Sequence, residues 1–113
     1  MSIKYTPAVN IVLSGLTTVV TNITERKVNS RYHNEADVAA FPKVVSFVVI
    51  KDENDQNLGR TFQIKLRSVA NLSVQQTIDF DKVDVVNGQA TFWADQRGYV
   101  QISMKGDEII ASA

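Results

Sequence analysis

Two turn signals in segment 77–104 constrain the fold of this chain most, because each one predicts how two strands pair. Asn87-Gly88 is typical of a tight two-residue hairpin, and Asp95-Gln96-Arg97-Gly98 is typical of a type I turn closed by glycine. Counting outward from both turns predicts three antiparallel strands, in which Lys82 lies opposite Trp93. The segment is therefore predicted to form a small meander with a defined register.

This register divides the side chains of the three strands between two faces. The predicted core face carries Val83, Val85, Ala90, Phe92, Val100, Ile102 and Met104, and the other face carries Lys82, Thr91, Trp93, Tyr99, Gln101 and Ser103. Leaving Trp93 and Tyr99 among polar neighbours forgoes burial worth roughly 2 kcal/mol each. Either a partner meets these two rings, or a second layer of the protein covers them.

Thr, Val, Ile and aromatic residues with regularly spaced turn signals predict a mostly β chain, and residues 1–113 are expected to form one domain. Segment 44–51 is nearly continuously apolar, as in a central strand covered on both faces. Ser14-Gly15 is either a hairpin turn or a kink in the first strand, and a bulge is expected at Asp81-Lys82. We expect strands over 8–23, 44–51, 60–68, 74–85 and 108–111, and one short helix over 34–41.

The sequence contains little that indicates catalysis. It has no cysteine, its single histidine is His33, and it contains no glycine-rich phosphate loop. Asp79, Asp81 and Asp84 lie close together, and we interpret them as a solvated acidic edge rather than a divalent-cation site. We therefore expect no enzyme, no cofactor and no metal, with a small hydrolase as the least favoured alternative.

Apolar run lengths and net charge exclude two further classes of protein. The longest apolar run, 44–50, is much shorter than the ~20 residues that span a membrane, so we expect a cytoplasmic protein without a membrane partner. Twelve Lys and Arg balance twelve Asp and Glu, which argues against a strongly basic nucleic-acid binder. The charges are nevertheless segregated, because segment 60–78 holds three basic residues and no acidic one. One face of the protein can therefore be basic.

Aromatic and basic side chains together suggest a binding surface for single-stranded nucleic acid, in which bases stack on rings and cations follow the phosphates. The predicted register brings Trp93 and Tyr99 close to Lys82 and Arg97. Lys65 and Arg67 share a solvent-facing side of their strand, and they join this surface only if the strand order allows it. Otherwise the two rings pack inside the protein or form a subunit interface.

Segments 26–32 and 97–99, followed by the closing segment 106–110, resemble the OB-fold single-stranded-DNA-binding proteins of conjugative elements and phages. The resemblance implies a partly open Greek-key (OB-like) barrel with one short helix, acting as a homo-oligomer. It implies DNA contacts by Arg31, Tyr32, Lys65, Arg67, Trp93, Arg97 and Tyr99. The alternative is a β-sandwich structural or adaptor protein, such as a virion or assembly component, whose aromatic face contacts protein.

Overall fold

The fold is mainly β, as the sequence predicts, and the computed structural model describes residues 7–26 and 35–112. Its helices are α1 (Val9–Val12) and α2 (Glu35–Ala40), neither of which is long and apolar enough to cross a membrane. The strands are β1 (Leu16–Glu25), β2 (Lys43–Asp52), β3 (Thr61–Leu66), β4 (Thr77–Asp79), β5 (Val83–Val85), β6 (Gln89–Ala94), β7 (Val100–Gly106) and β8 (Ile109–Ala111). One helix was expected, and the described residues form two.

Six strands form an unclosed sheet in the order β4-β1-β2-β3-β7-β6, and β5 pairs with β8 in a separate two-stranded sheet. All neighbours are antiparallel except β3 and β7, which are parallel. An antiparallel meander, β1 to β3, is thus joined through its third strand to the hairpin β6–β7. This arrangement confirms the expected partly open, OB-like Greek-key fold. A two-stranded second sheet is too small to form the second layer of a β-sandwich.

The core lies against one face of the large sheet. Phe47 of β2 stacks on Phe62 of β3 with ring centroids 5.1 Å apart, and Phe80 meets Phe47 edge-on at 5.5 Å. β2 lies inside the sheet, as predicted. The prediction that both of its faces are buried is wrong. Val45, Phe47 and Val49 are buried, whereas the side chains that alternate with them are half-buried or exposed.

The expected strand over 8–23 begins late, because its first residues form α1. Val9 and Leu13, four positions apart, are both buried on one side of this turn. The Asn10 side-chain amide donates hydrogen bonds to the carbonyl oxygens of Phe80 at 3.3 Å and Val83 at 2.8 Å, and its oxygen accepts one from the Val85 amide at 2.9 Å. These distant partners, which no local pattern reveals, favour the helical turn.

The hairpin predicted at Asn87-Gly88 does not form, because β5 pairs with β8 instead of β6. Asn87 has a positive φ of 52°, whereas Gly88 does not have one, and a type I′ turn needs positive φ at both positions. Gly88 is required for a different reason, since a Cβ atom there would lie 2.8 Å from Cγ1 of Val85. The turn therefore carries the chain from one sheet to the other.

The predicted bulge at Asp81-Lys82 is also wrong. The Lys82 amide donates to the Asp79 carbonyl oxygen at 2.9 Å, which closes a turn between β4 and β5. These two strands belong to different sheets. The change in alternation that suggested a bulge is instead the point where the chain leaves the large sheet.

The hairpin β6–β7 has the turn that the sequence predicts. The Gly98 amide donates to the Asp95 carbonyl oxygen at 3.0 Å, and Gly98 has a positive φ of 86°. Trp93 pairs with Gln101, so the predicted division of the two strands into faces is confirmed. Val100 and Ile102 were expected in the core, but they are 71% and 41% exposed. The distal half of the hairpin extends past the core.

Ile64→Ala and Ile102→Ala test this division of the hairpin from the core. Ile64 is fully buried, so its truncation is expected to lower the free energy of unfolding by about 2–5 kcal/mol. Ile102 is 41% exposed, so the same change is expected to have a clearly smaller effect. Urea denaturation of both variants measures the difference. Equal decreases in the free energy of unfolding would show that the distal half of the hairpin is packed against the protein in solution.

The Asp52 carboxylate organises the loop between β2 and β3. It accepts hydrogen bonds from the backbone amides of Asn54 at 3.0 Å, Gln56 at 3.1 Å and Asn57 at 2.9 Å, and from the Asn57 side chain at 3.0 Å. The hydrogen bond from the Asn54 amide lowers the pKa of Asp52 most, the hydrogen bonds from Asn57 and Gln56 lower it further, and burial of the carboxyl raises it. Ionisation of this carboxyl therefore stabilises the folded loop.

Because the pKa of Asp52 is lower in the folded state, the stabilising effect of its ionisation is fully present above the ordinary pKa of an aspartate in the unfolded chain. The effect is lost as the pH falls through the lower folded value. Asp52→Asn is expected to lower the melting temperature at neutral pH. The melting temperature of this variant is also expected to fall less than that of the wild-type protein as the pH is lowered. Thermal unfolding across pH measures this, with Asp55→Asn in the same loop as the control. Identical pH profiles for both variants would contradict the role of Asp52.

Candidate functional site

A cleft opens in the large sheet between β3 and β7, and side chains from both faces of the sheet line it. The two strands pair only at Lys65 with Lys105 and at Leu66 with Gly106, so the preceding residues of both strands are not joined by ladder hydrogen bonds. The resulting groove has a volume of about 660 Å³. Its lining residues come from β1, β2, β3, β6 and β7: Thr21, Ser46, Thr61, Phe62, Gln63, Lys65, Trp93, Ile102, Ser103 and Met104.

Trp93 is the central aromatic side chain of this cleft. It also lines an adjoining pocket of about 340 Å³ with Thr91, Ser103 and Lys105. The residue is 37% exposed, so no second layer of described residues covers it fully. Its predicted position on the polar face is therefore confirmed, and part of the ring is accessible to a ligand.

The Asp95 carboxylate holds the turn of the hairpin together. It accepts hydrogen bonds from the backbone amides of Arg97 at 2.9 Å and Tyr99 at 3.1 Å, and from the Gln101 side chain at 3.0 Å. The Gln101 hydrogen bond is the main cause that lowers the pKa of Asp95. The Arg97 guanidinium carbon lies 5.2 Å from the centroid of the Tyr99 ring, and Tyr99 is 62% exposed. Nη2 of Arg97 also lies 3.5 Å from Oδ2 of Asp95, so the turn presents an ion pair beside an exposed ring.

Basic side chains gather at the opposite end of the cleft. Nη1 of Arg26 lies 3.0 Å from one Asp37 carboxylate oxygen, and Nζ of Lys105 lies 3.9 Å from the other. Lys65 is half-buried, and its pKa is lowered first by burial and then by the charge of Arg26. Three cations therefore surround a single carboxylate.

The structure brings some of the predicted site residues together and separates others. Lys65 and Trp93 line the cleft, and Arg97 and Tyr99 lie at the turn of the hairpin that carries Trp93. The residues that do not join them are Arg67, which pairs with Asp107 at 2.9 Å, and Lys82, which lies in the turn before β5. The predicted pairing of Lys82 with Trp93 is wrong because β5 belongs to the other sheet. Arg31 and Tyr32 lie outside the described residues.

Three residues of the site were missed in the sequence. The alternation that places Gln101 and Ser103 on the polar face also reaches Lys105, so that residue had a local signal. Arg26 and Asp37 had none. They are eleven residues apart, and their contact depends on how α2 packs beside the end of β1.

Two of the three acidic residues considered for a cation site, Asp79 and Asp81, have other roles. The Asp81 carboxylate accepts hydrogen bonds from the Gly15 amide at 3.1 Å and the Ser14 hydroxyl at 3.2 Å, and Asp79 accepts one from the Asp81 amide at 3.0 Å. Within 7–26 and 35–112, no group of three or more His, Cys, Asp or Glu residues could hold a metal ion. These two carboxylates therefore stabilise loops.

Comparisons with protein-family models, curated proteins and solved structures find no match to this chain. The function must therefore be inferred from the site itself. Its chemistry consists of one accessible tryptophan, a lining of both polar and apolar side chains, a group of basic side chains at one end, and the Arg97–Asp95 ion pair at the hairpin turn.

Quenching of tryptophan fluorescence tests whether the cleft is open in solution, because Trp93 is the only tryptophan of the chain. The quenching constant of acrylamide for the folded protein is expected to be a substantial fraction of the constant measured in urea. Free N-acetyl-tryptophanamide serves as the fully exposed control. Quenching near zero in the folded protein would mean that another layer covers the ring.

Proposed function

We propose that this chain is a non-catalytic protein that binds single-stranded DNA across the outer face of β3, β7 and β6. The observation that carries the proposal is the position of Trp93, which is partly exposed in an open cleft that Lys65 also lines. Stacking of a base on an aromatic ring contributes ~1–3 kcal/mol, and it tolerates any base sequence. Basic side chains beside the ring supply the contacts to phosphate.

The dimensions and polarity of this face support a short binding site. β6 advances five residue steps from Gln89 to Ala94, which is about 17 Å of strand. Hydroxyl and amide side chains line the cleft and the adjoining pocket beside Trp93, where they can hydrogen-bond to the edges of bases. These side chains are Thr21, Ser46, Thr61, Gln63, Thr91 and Ser103.

The proposal includes a cellular setting and a modest affinity. A net charge of zero implies few phosphate contacts, so binding is weak and decreases quickly with salt. We also propose that the chain is a cytoplasmic protein of a mobile element or phage and acts as a homo-oligomer. The absence of cysteine fits a reducing compartment.

Anisotropy of a fluorescent oligo-dT at low salt tests the proposal. Trp93→Ala is expected to weaken binding about five- to 150-fold, which corresponds to the loss of one stacked base. Ile11→Ala removes a 69% exposed side chain from α1, away from the cleft, and is the matched control. If the wild-type protein shows no binding at micromolar concentrations, the proposal is wrong.

A structural or adaptor role is the second candidate function, and the distal half of the β6–β7 hairpin favours it. Val100 and Ile102 are exposed and alternate with Gln101, the partner of Trp93, and Ile102 also lines the cleft. Apolar side chains are therefore exposed along this hairpin. Clustered exposed apolar side chains mark surfaces that contact other proteins.

Sedimentation velocity distinguishes the second function from the first. A structural role predicts an oligomer that dissociates with Val100→Ser, together with no affinity of the wild-type protein for oligo-dT. Val74→Ser, at a 52% exposed position outside the hairpin, is the control. A wild-type monomer without DNA affinity would contradict both functions.

A further inference from the structure

We propose that Lys65 and Lys105 form a phosphate-binding subsite at the base of the cleft, with Arg26 and Asp37 as positioning residues. The subsite takes a backbone phosphate of the strand whose base stacks on Trp93. This inference rests on the proposed function, and it specifies where one phosphate lies and along which strand of the sheet the DNA runs.

The first argument is the pairing of the two lysines. Lys65 and Lys105 are neighbours in the two-residue parallel contact between β3 and β7. Like charges on adjacent strands repel one another, so this arrangement opposes folding unless an anion compensates it. Among the described residues, Asp37 pairs with Lys105 and Arg26, whereas no carboxylate pairs with Lys65. The three cations and one carboxylate leave an excess of two positive charges.

The second argument is that the surrounding groups are rigidly held. The Arg26 side chain is only 6% exposed, and its Nη1 donates to the Phe41 carbonyl oxygen at 3.1 Å as well as pairing with Asp37. Arg26 therefore joins the end of β1 to α2 and holds the Asp37 carboxylate in place. Lys105 is held more loosely, because its Nζ lies 3.9 Å from Asp37 and 5.2 Å from the centroid of the Phe41 ring. Its ammonium group is free to turn toward a phosphate.

The other charged groups at this end of the sheet compensate one another. Lys43 forms an ion pair with Glu25, and Arg67 forms one with Asp107. Neither pair changes the charge balance around Lys65. The positive excess is therefore localised at the lysine pair.

The third argument is continuity between the lysine pair and the stacking residue. The smaller pocket contains both Trp93 and Lys105, with Thr91 and Ser103 between them. Lys105 lies four residue steps along β7 from Gln101, the cross-strand partner of Trp93, which is about 13 Å. A DNA strand with one base stacked on Trp93 can therefore run along the outer face of β7. One of its phosphates, on either the 5′ or the 3′ side of the stacked base, then lies at the two lysines.

The salt dependence of oligo-dT binding tests the subsite. Lys65→Met and Lys105→Met keep most of the side-chain length and remove the charge. Each is expected to weaken binding severalfold and to reduce the slope of log K against log salt by about 0.7, the value for one phosphate contact on a single strand. Lys51→Met, at the far end of β2, is the matched control and is expected to leave the slope unchanged. Glutamine replaces methionine at either position if the first variant does not fold.

A second titration separates failure of the subsite from failure of the proposed function. Inorganic tripolyphosphate is added to the ¹⁵N-labelled wild-type protein while the NMR signals of Lys65 and Lys105 are followed. Saturable shifts that Lys105→Met abolishes and Lys51→Met retains would support the subsite, even if oligo-dT does not bind. If Lys65→Met and Lys105→Met bind oligo-dT with the same dependence of log K on log salt as the wild-type protein, the subsite is overturned and the proposed function is left intact. Absence of both the shifts and the slope change would also overturn the subsite.

Discussion

The short parallel contact between β3 and β7 is the feature on which the rest of the structure depends. It joins the meander β1 to β3 with the hairpin β6–β7, and only two residues of each strand take part. Leu66 is fully buried at this contact, and Gly106 is required because a Cβ atom there would lie 2.6 Å from Cγ1 of Val85. The Arg67 amide extends the contact by donating to the Gly106 carbonyl oxygen at 3.2 Å. Because pairing stops at these residues, the cleft opens beside them.

The same contact concentrates positive charge where the cleft ends. Parallel pairing places Lys65 beside Lys105, and the end of β1 adds Arg26. A protein with a net charge of zero therefore has a local basic site, because the neighbouring Lys43 and Arg67 are paired with carboxylates. The arrangement favours an anionic ligand at some expense in stability, since like charges on adjacent strands repel.

Local signals predicted the parts of the fold that depend on local interactions. The turn from Asp95 to Gly98 was predictable because its hydrogen bond and its positive φ belong to the turn itself. The position of Trp93 on the polar face followed from that turn, since alternation in a strand has a period of two residues. Asn87-Gly88 misled the prediction, because Gly88 is needed for close packing against Val85 rather than for a hairpin.

The sequence alone determined that this chain is mainly β, which residues alternate between faces in β3, β6 and β7, and that Trp93 lies on a polar face. It also identified Lys65 as a basic residue on the solvent-facing side of β3. Only the tertiary structure decided that β3 adjoins β7, which brings Lys65 to the cleft and Lys105 to the adjoining pocket, with Trp93 lining both. The physical reason is range: turn geometry and alternation act over a few residues, whereas strand neighbours are selected by packing and hydrogen bonds between distant segments.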